Sequence, residues 1–136
     1  MTDDNDEEGG PMAASVVVVD DTEHVRQMLV SMLTLDGFDV VGEGATGDEA
    51  TDLAVKLEPD VLIIDYSMPG MNGLEASKKV LAALPQQNII LYTAYIDNAL
   101  KEEAKRVGIA LTIGKVEGLE TLERSISELC LQMKKD

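Results

Sequence analysis

The sequence holds a single cysteine and a single histidine, and it has no run of about 18 apolar residues that could span a membrane. Cys130 alone cannot form an internal disulfide, and its place in the last helical pattern indicates a packed thiol rather than a redox site. His24 falls in the first turn of the first predicted helix, where we expect an exposed side chain without a ligand role. The start of the chain also lacks a secretory signal, so a soluble cytoplasmic protein is expected.

Basic residues are scarce as well, with 11 Lys and Arg against 26 Asp and Glu and a net charge of -15. This balance argues against binding of nucleic acid or of anionic membranes through a basic face. Five of the acids crowd the first eight residues, and Gly-Gly-Pro follows, so residues 1–14 are predicted to be a disordered acidic leader. Residues 15–136 are enough for one domain with a single core.

The remainder of the chain alternates short β-branched runs with amphipathic segments. Such runs are too short for helices and suit strands that are buried on both faces of a parallel sheet. The predicted strands span 15–19, 38–42, 61–64, 88–92 and 109–113; the predicted helices lie between Thr22 and Gly37 and over 48–57, 74–84, 97–107 and 118–133. Five βα units predict an α/β fold, a three-layer sandwich in which helices cover both faces of a five-stranded parallel sheet.

Helical spacing also assigns individual side chains. Thr22 is expected to cap the first helix, and Leu57 to face inward from the second. The methionines of the first helix are interpreted as core filler, because its inward face is predicted to comprise Val25, Leu29, Met32 and Leu33.

Polar residues follow four of the predicted strands at the point where each strand ends. Parallel strands bring their carboxyl ends to one edge of the sheet, where ligands bind in open α/β folds. The residues at these ends are Asp20 and Asp21, then Asp65, Thr93 and Lys115. Taken singly, each could be a helix cap or a solvated surface group, but together they predict a site.

Three carboxylates that meet at one edge repel one another, and a bound cation relieves that repulsion. Oxygen ligands suit Mg²⁺, which we predict to be held by Asp20, Asp21 and Asp65, with the backbone carbonyl of Ser67 as a further ligand. Lys115 could pair with Asp65 or with a phosphate, and Thr93 could donate to a bound oxygen. Asp65 is then the candidate nucleophile for a phosphoryl group.

Four segments resemble the receiver domain of two-component response regulators, and the likeness extends over about residues 15–133. They are Val-Val-Val-Val-Asp-Asp at 16–21, Asp-Tyr-Ser-Met-Pro-Gly-Met-Asn-Gly at 65–73, Tyr-Thr-Ala at 92–94 and Gly-Lys at 114–115. In size and layout the chain is similar to the stand-alone chemotaxis type.

The resemblance implies a flavodoxin-like fold and transfer of a phosphoryl group to Asp65 from the phosphohistidine of a sensor histidine kinase or phosphotransfer protein. Asp20 or Asp21 would hold Mg²⁺ with Asp65, while Thr93 and Lys115 would contact the phosphoryl group. The chain would be a signalling protein rather than an enzyme, apart from its own Mg²⁺-dependent phosphorylation and dephosphorylation. A monomer or a phosphorylation-dependent homodimer is expected.

Two positions depart from the family pattern. Val116 stands where proline usually follows the lysine, so no cis peptide is expected there. Thr112 occupies the position of the usual switch aromatic, three residues before Lys115. Tyr95, two residues after Thr93, is our hypothesis for a substitute.

No output domain is expected after the last helix, so the signal would pass through an unidentified downstream protein. Within the family, the alternative is a relay intermediate that passes its phosphate to a histidine phosphotransfer protein. From other classes, a Mg²⁺-dependent aspartyl phosphatase would usually carry a second Asp where Ser67 stands. A flavin-binding carrier would need a hydroxyl-rich loop in place of Asp20 and Asp21.

Overall fold

The computed structural model describes residues 13–135, with side chains described through Gln132. Strands and helices alternate along this part of the chain, and no helix in it is long and apolar enough to cross a membrane. The elements are β1 (Ser15–Val19), α1 (Glu23–Leu35), β2 (Asp39–Gly44), α2 (Gly47–Leu57), β3 (Val61–Ile64), α3 (Gly73–Ala83), β4 (Asn88–Thr93), α4 (Asn98–Val107), β5 (Leu111–Gly114), a short 3-10 turn (Lys115–Glu117) and α5 (Leu119–Lys135).

All five strands are parallel and lie in the order β2-β1-β3-β4-β5. The predicted α/β fold with a five-stranded parallel sheet is therefore confirmed. From β1 the chain moves outward to β2 and then returns to the other side of β1 to form β3. This reversal opens a crevice between the carboxyl ends of β1 and β3, which is the usual ligand position in such sheets.

Alternate strand residues face opposite layers of the sandwich, as the pleat requires. In β1, Val17 and Val19 belong to the core beneath α2, α3 and α4, whereas Val16 and Val18 belong to the core beneath α1 and α5. All four are at most 1% exposed. Burial on both faces explains why the central strands β1 and β3 read as continuous apolar runs.

Two strand boundaries differ from the prediction by more than one residue. β2 continues to Gly44 because it pairs with β1 along its whole length, with Gly44 opposite Val19. β5 begins only at Leu111, since the N–H of Ile109 donates to the Ala104 carbonyl and closes the end of α4. Contacts with neighbouring elements therefore set the end of β2 and the start of β5.

Three apolar side chains assigned to the core are exposed instead. Met32 is 40% exposed and its neighbour Met28 51%, while Leu57 at the end of α2 is 36% exposed. Leu29 and Leu33 fill the contact between α1 and the sheet. The interpretation of the α1 methionines as core filler was therefore wrong.

Thr22 occupies the N-cap position of α1, but its side chain accepts no capping hydrogen bond. Its own N–H instead donates to the Asp20 carboxylate at 2.9 Å. The next three helices have side-chain caps of the usual kind, in which the cap oxygen accepts an N–H of the first turn. These caps are Thr46, Asn72 and Asp97.

Most of the predicted disordered leader lies outside the described residues. At its last position Ala14 is buried, and its carbonyl accepts the Asp39 N–H at 2.8 Å. Ordered packing thus begins at least one residue before the predicted boundary at residue 15.

Gly73, the first residue of α3, rests directly on the backbone of the β3 end. Its N–H donates to the Tyr66 carbonyl at 2.7 Å, and a Cβ built at Gly73 would lie 2.2 Å from the Asp65 carbonyl oxygen. No side chain fits at that distance, so glycine is required by close approach.

We predict that Gly73→Ala destabilises the protein by on the order of 3 kcal/mol, because the clash is with backbone that cannot rotate away. Gly47→Ala is the matched control, since Gly47 is also the buried first residue of a helix. A Cβ there would meet the flexible side chain of Met71 at 3.0 Å. Urea unfolding of both variants measures the difference, and equal losses of stability would contradict the explanation.

Candidate functional site

Three carboxylates converge at the crevice between β1 and β3. Asp20 directly follows β1 and Asp65 directly follows β3, and the Asp65 N–H donates to the Val19 carbonyl at 2.9 Å. One carboxylate oxygen from each of Asp20, Asp21 and Asp65 lies within 4.8 Å of the other two. Asp20 and Asp65 are 1% and 7% exposed, whereas Asp21 is exposed. The sheet thus gathers the acids that the sequence placed at strand ends.

Lys115 brings a positive charge into this cluster from the end of β5. Its Nζ lies 3.0 Å from Asp20 Oδ2 and 3.5 Å from Asp65 Oδ1. Thr93 pairs with Gly114 across β4 and β5, which carries the next residue, Lys115, to the same edge of the sheet. The ammonium therefore lies between the two buried acids: its pairing with Asp65 was predicted from the strand ends, whereas its closer pairing with Asp20 was not.

The surroundings raise the pKa of both Asp65 and Lys115, which disfavours the charged form of the acid and favours the charged form of the lysine. Burial, together with the nearby Asp20 charge, raises the pKa of Asp65 from 3.8 to about 6, although Lys115 partly offsets the effect. Burial alone would lower the pKa of Lys115, but its hydrogen bond to Asp20 and the charge of Asp65 outweigh burial and raise it. Lys115 therefore stays charged beside the two acids, while Asp65 takes up a proton at a higher pH than an ordinary aspartate does.

Thr93 lies at the end of β4 and is 2% exposed. Its hydroxyl is engaged by the backbone two residues on: Oγ1 donates to the Tyr95 carbonyl at 3.1 Å and lies 3.3 Å from the Tyr95 N–H. Tyr95 itself is 75% exposed. The hydroxyl therefore faces the β4-α4 loop in this structure.

The loop after β3 completes the rim of the site. Ser67 is exposed and, with Tyr66, lines both the concave surface beside Asp21 and the groove that contains Thr93 and Tyr95. The role of the Ser67 carbonyl as a metal ligand stays a prediction. The expected trans peptide before Val116 is confirmed, since no described residue follows a cis peptide bond.

Two residues in contact with the site, Tyr92 and Arg26, were not predicted from the sequence. Tyr92 is 5% exposed, and its ring centroid lies 5.8 Å from Lys115 Nζ. Arg26 of α1 donates from Nη1 to the Asp20 carbonyl at 2.8 Å and from Nε to Glu43 at 3.0 Å. Tyr92 could have been suspected, because it precedes Thr93 in an otherwise aliphatic strand. The sequence around Arg26 did not indicate a contact with the site, because an arginine in the first turns of a helix is usually a surface residue.

The residues present suit a hard divalent cation. Two buried carboxylates and one exposed carboxylate supply oxygen atoms that lie close enough together to bind the same ion. Lys115 contributes only one positive charge, so the cluster keeps a net negative charge when all three acids are ionised. Burial raises the pKa of Asp65 most, and the neighbouring Asp20 charge raises it further. An Mg²⁺ ion would balance the net negative charge of the cluster.

Comparison with known proteins agrees with this geometry. The family model of the response regulator receiver domain matches residues 16–127. Chemotaxis protein CheY of Thermotoga maritima is 36% identical over 97 residues, covering 71% of this chain and 81% of CheY. Response regulator GacA of Pseudomonas aeruginosa is 34% identical over 115 residues, covering 84% of this chain, and the chain spans only 54% of the length of GacA.

Solved structures show the same fold. The receiver domain of the response regulator NarL from Mycobacterium tuberculosis superimposes with a TM-score of 0.78 at 31% identity, covering 92% of this chain and 98% of that domain. Chemotaxis protein CheY4 of Vibrio cholerae also gives a TM-score of 0.78, at 32% identity, covering 86% and 98%. The chain belongs to the response regulator receiver domain family of two-component signalling, and its fold is the flavodoxin-like fold of CheY.

Family membership decides between the classes that the sequence left open. Receiver domains are signalling modules rather than enzymes, so neither the aspartyl phosphatase nor the flavin carrier is supported. The acid cluster, Thr93 and Lys115 remain the candidate site.

We predict that Asp65→Asn stabilises the protein at pH 7.5 in metal-free buffer. The folded-state pKa of about 6 exceeds the ordinary 3.8, so the folded protein prefers the protonated form, and ionisation costs stability as pH rises through this window. Removing the charge should recover on the order of 2–3 kcal/mol above pH 6 and almost nothing at pH 4. Urea unfolding at the two pH values measures the gain.

The exposed Asp52 on α2 offers a matched control, and Asp52→Asn should change stability little at either pH. Saturating Mg²⁺ should shrink the gain from Asp65→Asn, because the ion neutralises the wild-type cluster. A gain that is the same at pH 4 and pH 7.5 would contradict the electrostatic explanation.

Proposed function

We propose that Asp65 accepts a phosphoryl group from the phosphohistidine of a partner histidine kinase or phosphotransfer protein. The observation that carries this proposal is the cluster of Asp20, Asp21 and Asp65 within 4.8 Å, with Lys115 Nζ 3.5 Å from Asp65. A downstream protein then reads the phosphorylated state. A cytoplasmic location and the oligomeric state, monomer or phosphorylation-dependent homodimer, remain predictions.

In the transfer step an Asp65 carboxylate oxygen attacks phosphorus and forms a P–O bond. The P–N bond to the donor imidazole breaks, and its electron pair stays on that nitrogen. Negative charge spreads over the phosphoryl oxygens during transfer, and Lys115 lies where it can pair with them. Asp65 must be ionised to attack, and its pKa of about 6 leaves it ionised at neutral pH.

Asp20, Asp21 and Asp65 would hold Mg²⁺, with the Ser67 carbonyl as a further ligand. When bound, the ion would offset the repulsion between the carboxylate and the incoming phosphoryl group. Asp20 is shared between this role and Lys115, because its Oδ2 accepts from Nζ while Oδ1 accepts the Thr22 N–H. The lysine thus keeps Asp20 oriented toward the crevice.

Thr93 would respond to the new phosphoryl oxygens. Its hydroxyl has one proton, which it now donates to the Tyr95 carbonyl. Donation to a phosphoryl oxygen would require that bond to break and would release the β4-α4 loop. Tyr95, exposed and tied to Thr93 through backbone atoms only, supports our hypothesis that it replaces the aromatic absent at Thr112.

Phosphorylation adds a charge of about -1.5 to -2, which supplies the bias between the two loop states. Carrying the active state from 1% to 99% requires phosphorylation to favour it by about 5.5 kcal/mol. The output would be a protein interaction, and the relay role toward a histidine phosphotransfer protein stays an alternative.

The proposal predicts a labile adduct with the mass of one phosphoryl group when the protein is incubated with acetyl phosphate and Mg²⁺. Intact-mass spectrometry should show it in the wild type and not in Asp65→Asn, nor in the wild type with excess chelator. Asp60→Asn is a control, because Asp60 lies before β3, at the opposite end of that strand from Asp65, where its carboxylate accepts the Ser15 N–H and its own N–H donates to the Ser15 hydroxyl. An adduct that persists in Asp65→Asn would refute Asp65 as the acceptor.

The loop response is tested by NMR of the Tyr95 backbone amide. Its resonance should shift when the phosphodonor and Mg²⁺ are added, because Thr93 Oγ1 leaves it. In Thr93→Ala the resonance should start at a new position and respond much less, although Asp65 still takes up phosphate. If the Tyr95 amide of the wild type stays unmoved after full phosphorylation, this coupling is absent.

A further inference from the structure

Arg26 is held more rigidly than a surface arginine. It lies on the first turns of α1, and its side chain is 16% exposed. Nη1 donates to the Asp20 carbonyl at 2.8 Å, while Nε donates to Glu43 Oε1 at 3.0 Å. An exposed ion pair alone would contribute little, but this guanidinium links the ends of β1 and β2 through two directed hydrogen bonds.

Asp20 is restrained at every polar atom. Its N–H donates to the Gly44 carbonyl at 3.0 Å, Oδ1 accepts the Thr22 N–H, and Oδ2 accepts from Lys115. The Asp20 carbonyl is the remaining polar atom, and Arg26 supplies its donor. Asp20 is 1% exposed, so water has little access to replace that donor.

The Asp20 carbonyl and the Asp21 N–H belong to the same planar peptide unit. Fixing the carbonyl oxygen therefore fixes the direction in which the chain enters Asp21. Asp21 is exposed, and no described hydrogen bond or ion pair engages its carboxylate. Its place within 4.8 Å of the buried acids consequently depends on its backbone.

We propose that Arg26 is a positioning residue for the cation site, acting on Asp21 through the peptide that joins it to Asp20. This inference rests on the proposed function, because it assumes that Mg²⁺ binds the three acids. It assigns Arg26 no contact with the ion or with the phosphoryl group.

Arg26 could affect Mg²⁺ affinity through its charge or by positioning Asp21, and the two effects have opposite signs. A guanidinium near the acid cluster repels a dication, so an influence through charge alone would make Mg²⁺ bind more tightly once the arginine is removed. An influence through position would make Mg²⁺ bind more weakly, because Asp21 would no longer be held near the other two acids. The sign of the change therefore identifies the cause.

The test is calorimetric titration of each protein, residues 1–136, with MgCl₂ at constant ionic strength. Arg26→Gln should weaken Mg²⁺ binding about tenfold, equivalent to about 1.4 kcal/mol. Glu43→Gln breaks the ion pair but leaves the Asp20 carbonyl bond, and it should change the dissociation constant less than about twofold. Arg106→Gln controls for the lost charge, because Arg106 pairs with Glu103 at the far end of α4 and should leave Mg²⁺ binding unchanged.

Unchanged or tighter Mg²⁺ binding by folded Arg26→Gln would overturn the inference while leaving the proposed function intact. Failure of the wild type itself to bind Mg²⁺ would instead overturn the proposed function. If Arg26→Gln does not fold, Arg26→Lys decides the matter. An ammonium keeps the charge but lacks the planar fork, so binding should weaken about threefold, and unchanged binding would refute the positioning role.

Discussion

The repulsion among three carboxylates at one sheet edge is the constraint on which the rest of the site depends. The sheet fixes the distance between the acids, because β1 and β3 are neighbouring parallel strands whose register puts Asp20 and Asp65 side by side. Core packing on both faces of the sheet supplies the free energy that holds them there. Lys115 offsets part of the repulsion, while burial and, after it, the Asp20 charge raise the pKa of Asp65.

Most of this arrangement could be predicted from sequence because it follows from strand polarity. Once Asp20, Asp65, Thr93 and Lys115 are each assigned to the end of a parallel strand, they must meet at one edge. Details that depend on packing between elements could not be predicted in this way. Helical spacing does not say how wide the buried stripe of α1 is, so Met32 was placed inside although Leu29 and Leu33 already fill the contact.

Contacts between residues far apart in the chain were also out of reach. Arg26 meets Glu43 across 17 positions, and Lys115 meets Asp20 across 95. Lys115 was expected at the site because it follows a strand end, but its predicted partner was Asp65, and its hydrogen bond to Asp20 was not foreseen. The contact of Arg26 with Glu43 joins a helix side chain to an edge strand and has no pattern of its own. Thr22 shows that short-range contacts can be missed as well. It was expected to cap α1 with its side chain, but that side chain accepts no capping hydrogen bond, and the Thr22 N–H donates to the Asp20 carboxylate.

The contact of Gly73 with the Asp65 backbone has a consequence for how such a protein diversifies. Because the Gly73 N–H donates to the Tyr66 carbonyl, residues 66–73 form a closed loop whose two ends meet beside Asp65. Insertions or deletions within that loop would alter its outer contour without displacing the strand tip. During evolution this loop could therefore change in length and composition, while the geometry of the acid cluster is inherited unchanged.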